Sequence, residues 1–85
     1  MKVWIVTISE VIDYQVNNYA PRVFSTYEKA RRYFDESVKE MKEELPADWT
    51  TESGTDYFEM YESGYYDDNH SSISIDSAVV DENEI

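Results

Sequence analysis

The residues most able to do chemistry lie together in segment 55–70, TDYFEMYESGYYDDNH, which holds the only histidine of the chain and no lysine or arginine. His70 has the side chain whose ordinary pKa lies nearest to neutrality, so acid–base catalysis would be sought there first. Its neighbours Asp67, Asp68 and Asn69 are typical of a hairpin turn, where a solvated histidine needs no catalytic role. The chain also lacks a Gly-x-Ser-x-Gly elbow and a glycine-rich phosphate loop. We therefore expect no enzyme.

The same turn could offer carboxylate and amide oxygens to a hard cation. It lacks the alternating Asp-x-Asp-x-Asp-Gly spacing and the distal glutamate that fold a calcium loop around its ion. The chain contains no cysteine, so thiolate metal sites and disulfides are excluded as well. The sequence predicts no metal site beyond weak, adventitious cation binding, and no cofactor.

Charge is divided unevenly along the chain. All seven lysines and arginines precede position 43, where six acids oppose them, whereas positions 43 to 85 hold thirteen acids and no base. The resulting net charge of −12 should repel nucleic acid and anionic membranes. It should attract the basic surface of another protein.

Length and composition favour one folded domain spanning residues 1–85. Hydrophobic residues make up 41% of the chain and aromatic residues 15%, far above the content of disordered segments. The first ten residues contain an apolar run too short for a signal peptide, and no stretch has the length of a membrane span. We expect a soluble, cytoplasmic protein whose last five residues, 81–85, form a frayed tail.

Four strands and one helix are predicted from the hydrophobic pattern. Strands are expected at 2–12, at a run ending in 21–25, at 56–62 and at 72–80, with Asn17-Asn18 as turn residues and 46–55 as a connection. Pro21 cannot donate a backbone hydrogen bond, so the second strand should lie at an edge or contain a bulge. The apolar stripe of the helix comprises Tyr27, Ala30, Phe34, Val38, Met41 and Leu45. Ser25 and Glu28 fit a capping box, and Pro46 should end the helix.

The order ββαββ predicts the α+β class, with a four-stranded antiparallel sheet and the helix packed on one face. One helix cannot cover both faces of such a sheet. Trp4 and several tyrosines are candidates for the bare face. There they either bind a second copy or another protein, or they pack among themselves.

The acidic second half is predicted to bind a protein partner. Carboxylates on alternate residues of a strand lie about 6.5–7 Å apart, which is of the order of the phosphate spacing along a nucleic acid. The predicted phosphate substitutes are Asp56, Glu59, Glu62, Asp67, Asp68 and Asp76, and the predicted aromatic anchors are Tyr57, Tyr61, Tyr65 and Tyr66. The alternative is a solvated surface that only keeps the protein soluble.

Two resemblances give this surface a possible target. Residues 22–30, RVFSTYEKA, preceded by a first strand MKVWIVT, resemble the strand, Val-Phe-Ser-Thr-x-Glu-x-Ala, helix arrangement of many small uncharacterised phage and prophage proteins. The acidic half is similar in size and charge to small phage inhibitors of host defence, anti-CRISPR and anti-restriction proteins, several of which mimic DNA. The resemblance implies an inhibitor that binds a nucleic-acid-binding protein in the cytoplasm of a host cell.

Two other functions are compatible with the same sequence. One is a non-enzymatic phage accessory or structural module that dimerises through the bare sheet face. The other is a protein that sequesters a small molecule in a preformed pocket lined by tyrosines.

Overall fold

The structure is a computed structural model that describes residues 1–65 and 67–80. Within these ranges the chain forms one helix and one antiparallel sheet of six strands. The elements are β1 Lys2–Ile12, β2 Gln15–Asn18, β3 Arg22–Phe24, α1 Tyr27–Glu44, β4 Thr50–Gly54, β5 Tyr57–Tyr61 and β6 His70–Val79. The predicted anchor Tyr66 and the predicted tail at 81–85 lie outside the described residues.

The strands follow the order β2-β1-β6-β5-β4, and β3 also pairs with β1. Since β6 occupies one edge of β1, β2 and β3 share the other edge and act as one interrupted edge strand. Pro21 precedes β3 directly, in agreement with the edge position expected for it. The α+β class and the single antiparallel sheet are confirmed, whereas the predicted number of four strands is wrong.

The sequence analysis missed two strands, namely β2, which contains the predicted turn residues Asn17 and Asn18, and β4, which lies in the segment predicted to be a connection. Residues Thr50–Gly54 pair with Tyr57–Tyr61, and all five are exposed. They carry no apolar alternation that would indicate a strand, because neither face of β4 enters the core. Backbone hydrogen bonds to the free edge of β5 hold this strand, so the ββαββ prediction is matched only in part.

The turn between β1 and β2 was also placed wrongly. Asn17 and Asn18 belong to β2, and the turn consists of Asp13 and Tyr14, with φ of 49° and 68°. A two-residue hairpin loop of type I′ has positive φ at both positions, and its twist matches that of the strands. Aspartate adopts this conformation readily, whereas tyrosine does so at a cost in conformational energy.

The predicted helix is confirmed, but its cap lies one residue later than expected. Thr26, not Ser25, is the N-cap, and its side-chain oxygen accepts a hydrogen bond from the backbone N–H of Lys29 at 3.3 Å. The Ser25–Glu28 capping box therefore does not apply. The helix ends at Glu44, ahead of Pro46, and no helix in the described ranges has the length and apolar character needed to cross a bilayer.

The core lies between the helix and one face of the sheet. The helix contributes the buried residues Ala30, Phe34 and Met41, as its predicted stripe requires. The sheet contributes Val6, Phe58, Met60, Ile73 and Ile75. Trp4 and Ile8 pack against this cluster beside Val6, which corrects the prediction that Trp4 lies on the bare face. Side chains alternate along β1, and the even-numbered positions are the ones that meet the helix.

Candidate functional site

The sheet face that the helix leaves uncovered is here called the open face. It is formed by the strand residues that alternate with the core residues, since directly paired residues share a face. Its members are Val3, Ile5, Thr7, Ser9, Val11, Val16, Asn18, Val23, Thr50, Glu52, Tyr57, Glu59, Tyr61, His70, Ser72, Ser74, Asp76 and Ala78. Three of these residues are acids, and none is a lysine or arginine.

All seven lysines and arginines of the chain lie on other surfaces. Lys2 and Arg22 occupy strand positions on the helix side, with their cations over the rings of Trp4 and Tyr33. The other five bases belong to α1, namely Lys29, Arg31, Arg32, Lys39 and Lys42. The fold therefore separates charge by face as well as by position along the chain.

Two carboxylates face each other near the β4 edge of this surface. Glu52 of β4 is directly paired with Glu59 of β5, and like charges in that position repel each other. The hydroxyl of Tyr61 donates a hydrogen bond to Glu52 at 3.2 Å. Desolvation, this hydrogen bond and the charges of Glu52 and Glu59 raise the pKa of Tyr61 above its usual 10.0, so the phenol stays a donor at neutral pH. Glu59 itself is only 4% exposed.

His70 also belongs to the open face and not to the turn predicted for it. It is the first residue of β6, paired with Val11 on one side and Tyr61 on the other. Strand pairing with β1 and β5 fixes its backbone, and its half-buried ring is therefore held next to the tyrosine and glutamate cluster of β5.

One end of the sheet adds a second acidic group to this surface. This turn end comprises residues 13–14 and 62–69, with Tyr66 outside the description. The N–H of Asp13 donates to Asn69 Oδ1 at 3.0 Å, and the N–H of Tyr14 donates to the carbonyl of Asp68 at 3.5 Å. Asn69 in turn donates from Nδ2 to Glu62 at 2.9 Å. Two loops far apart in sequence are thus joined into one acidic edge.

Asp56 is separated from the other predicted acids and is partly neutralised. Its carboxylate accepts a hydrogen bond from Tyr27 at 2.5 Å and lies 3.5 Å from the guanidinium of Arg31. Arg31 also donates to the carbonyl of Thr55. The hydrogen bond to Asp56 is the main reason why the pKa of Tyr27 is raised above 10.0. This acid ties the turn before β5 to the helix and has a cationic partner already.

The structure divides the ten predicted contact residues into groups. Tyr57, Glu59, Tyr61 and Asp76 share the open face, and Glu62, Tyr65, Asp67 and Asp68 share the turn end. Asp56 lies on the helix side, and Tyr66 is outside the described residues. The sequence analysis missed Glu52, Asp13 and Tyr14. Tyr14, an exposed aromatic residue next to an acid, was the available signal, whereas Glu52 could be found only after its strand was known.

Comparison of the chain with protein-family models, curated proteins and solved structures gave no significant match. The resemblance to phage inhibitors thus remains a prediction drawn from size, charge and a short segment. The function has to be argued from the surface itself.

Proposed function

We propose that this protein is a non-enzymatic inhibitor that docks on the basic, nucleic-acid-binding surface of another protein, as anti-CRISPR or anti-restriction proteins of the DNA-mimic type do. The open face and the turn end form the docking surface. The observation that carries the proposal is that the described residues of the open face include the acids Glu52, Glu59 and Asp76 but no lysine or arginine, while the adjoining turn end adds further acids.

The negative potential of these acids favours a cationic partner. Charge complementarity steers the association of two proteins and fixes their register, so the lysines and arginines of a partner would be attracted to this surface. Tyr57 and Tyr65, which are 37% and 57% exposed, offer the amphipathic rings that anchor many interfaces.

On this surface, the proposed imitation of DNA depends on the negative electrostatic potential more than on a regular row of carboxylates. Asp76 is paired with Ile5, while His70, six residues earlier on β6, adjoins the turn end. That separation is about 20 Å at the rise of an extended strand. One strand of duplex DNA carries about six phosphates over this length. The acids thus extend over a length suited to a DNA-binding groove, although Glu59 contributes its field from a buried position.

The test is a capture experiment with a built-in competitor. The immobilised protein is exposed to the heparin-binding fraction of a bacterial lysate, and bound proteins are eluted either with salt or with duplex DNA. We expect one or a few DNA-binding proteins to be retained and then released by the duplex. In a reconstituted assay, the released protein should lose DNA binding when the inhibitor is added.

Two matched triple variants decide whether the proposed surface is responsible. D67K/D68K/D76K changes the charge of the docking surface by six units, and E36K/E40K/E44K makes the same change on the helix. The first variant should lose capture, and the second should keep it. Equal loss in both would mean that net charge alone governs binding, and retention by the first would refute the proposal.

A second function, homodimerisation through the open face, is favoured by a different observation. Val16 and Val23 are 64% and 62% exposed, and they lie beside Val11 and Ile5 on β1, β2 and β3, towards the edge of the sheet opposite to the strands of Glu52 and Glu59. An apolar dimer would persist at high salt, because salt weakens charge attraction but not hydrophobic contact. Sedimentation of the wild type and of V23D at low and high salt tests this function. Ile5 and Val23 replace Trp4 as its probes.

A further inference from the structure

The helix side contains an acidic groove that the proposed function does not use. It is a cavity of about 250 Å³ between the C-terminal half of α1, β1 and the loop after β2. Its lining consists of Ile8, Glu10, Tyr19, Tyr33, Glu36, Ser37, Glu40, Met41, Glu44, Leu45 and Ser71. Four of these residues are glutamates and none is a base. The groove therefore combines a cavity with strongly negative walls.

Three of the glutamates form a row along the helix. Glu36, Glu40 and Glu44 follow one another at i,i+4, about 6 Å apart along the helix axis. Like charges at this spacing destabilise a helix. Glu10 faces them from β1, so the carboxylates border the groove from two elements. The row is about 12 Å long by the same helix geometry.

Ser71 provides an independent sign that the groove accommodates a ligand. Its side chain is 1% exposed and lines the cavity, and its hydroxyl has no hydrogen-bond partner among the described residues. Buried hydroxyl groups are nearly always paired, because leaving one unpaired costs free energy. Glu10 lies directly across from Ser71 in the β1–β6 register. Ser71 and Glu10 are therefore neighbours across the two strands, and both line the groove.

The remaining walls suit an aliphatic chain. Ile8, Met41 and Leu45 offer apolar contact, and the rings of Tyr19 and Tyr33 offer faces that attract cations. Arg22 lies 4.8 Å from the centre of the Tyr33 ring but is not part of the lining. A ligand with several positive charges separated by methylene groups would meet carboxylates and apolar walls in turn.

We propose that this groove binds a linear aliphatic polyamine. The ammonium groups would pair with Glu36, Glu40 and Glu44, whose spacing is close to that of nitrogens joined by four carbon atoms. A hydroxyl such as that of Ser71 can accept a hydrogen bond from an ammonium group. The described acids form no group that could hold a metal ion, which favours an extended cation over a compact one. A single lysine side chain would satisfy only one carboxylate of the row.

The test is titration of the full chain with spermidine at low ionic strength, followed by calorimetry and by NMR signals of Tyr19 and Tyr33. We expect saturable binding of one spermidine per chain. E36Q/E40Q/E44Q should weaken this binding about tenfold or more, equivalent to about 1.4 kcal/mol. D67N/D68N/D76N removes the same number of charges from residues that do not line the groove and should change the affinity less than about twofold on the same scale.

One further variant and two competing cations test the polyamine assignment. S71A should weaken spermidine binding several-fold while raising the unfolding temperature of the free protein, because it removes an unpaired buried hydroxyl. N-acetyl-lysine methylamide, with one ammonium group, should bind far more weakly than spermidine. Equal affinity for it would overturn the polyamine assignment in favour of a partner's lysine side chain. The proposal would be refuted if both triple variants bound spermidine equally weakly, or if equimolar Mg²⁺ displaced all of the bound spermidine. Either result would mean that spermidine only screens the negative charge of the protein.

Discussion

The two faces of the sheet differ in the charges that surround their acidic residues. On the helix side, acids are accompanied by bases: Arg31 lies 3.2 Å from Asp35 and 3.5 Å from Asp56. On the open face, Glu52 is directly paired with Glu59, and the described residues of that face include no lysine or arginine. One side is thus close to electrostatic balance around an apolar core, and the other carries negative potential on a scaffold of tyrosines and hydroxyl groups.

This contrast bears on the proposed docking surface. A surface that must only remain soluble gains nothing from placing like charges directly opposite each other, because interspersed charges of both signs serve equally well. Like charges placed next to each other lower stability locally, and such arrangements are typical of functional sites. Among the described residues of the helix side, the acidic groove also brings like charges together, since no base belongs to its lining.

The largest effect should come from the core. F34A removes a 3% exposed ring that packs between helix and sheet, and it should lower the free energy of unfolding by about 3–5 kcal/mol. I5A, on the half-buried open face, should cost only about 1–2 kcal/mol. Urea unfolding of both variants measures the difference. Similar losses would mean that the open face is as well packed as the core, which would contradict its description as uncovered.

The helix cap gives the next largest effect. T26A removes the acceptor for the Lys29 N–H and should destabilise the protein by about 0.5–2 kcal/mol. S25A lies one residue outside the cap and should change stability by no more than a few tenths of a kcal/mol. Thermal unfolding of the two variants distinguishes them. If S25A lowered the stability more than T26A, the result would support the Ser25–Glu28 capping box predicted from the sequence.

The fold was predictable where local chemistry and burial agree. The stripe from Tyr27 to Leu45 indicated the helix, and the alternation of Phe58 and Met60 with tyrosines indicated β5, because these patterns follow directly from contact with one core. The strand β4 was not predictable, since its residues are exposed on both faces and contribute no apolar alternation. The face of Trp4 was also undetermined, as β1 is apolar on both sides.

The candidate site was predictable in composition but not in arrangement. The sequence identified a tyrosine and carboxylate segment without bases, and Tyr57, Glu59 and Tyr61 do share one face. It could not reveal that Glu52 opposes Glu59 or that Arg31 reaches Asp56, because both contacts depend on pairings between distant segments. Likewise, the acidic groove joins residues of α1, β1 and β6 that no short motif connects.

A third prediction compares the substitution of one acid on each face, and the two substitutions should change the free energy of unfolding in opposite directions. E52Q removes a charge opposite Glu59 while keeping an acceptor for Tyr61, so it should raise stability by about 0.2–1 kcal/mol. D35N removes the exposed i,i+4 partner of Arg31 and should lower stability by about 0.2–0.5 kcal/mol. Urea unfolding at low salt measures both. Destabilisation by E52Q would show that the open face is already balanced in the free protein.

The smallest effects should appear in alkaline titration, where each face has one perturbed tyrosine. The pKa values of Tyr27 and Tyr61 are raised above 10.0, so the folded state holds both phenol protons more tightly than the unfolded state. Their contribution to stability is therefore complete below pH 10.0 and is lost as the pH rises through the folded-state pKa values.

The causes differ, and two substitutions separate them. The hydrogen bond to Asp56 is the main cause at Tyr27, so D56N should bring its pKa back towards the ordinary value. Desolvation is the main cause at Tyr61, so E52Q should lower that pKa only in part. Carbon-13 NMR of the tyrosine ζ positions follows both groups. A return of the Tyr61 pKa to its ordinary value in E52Q would mean that Glu52, and not burial, causes the shift. The open face would then be more solvated than its geometry indicates.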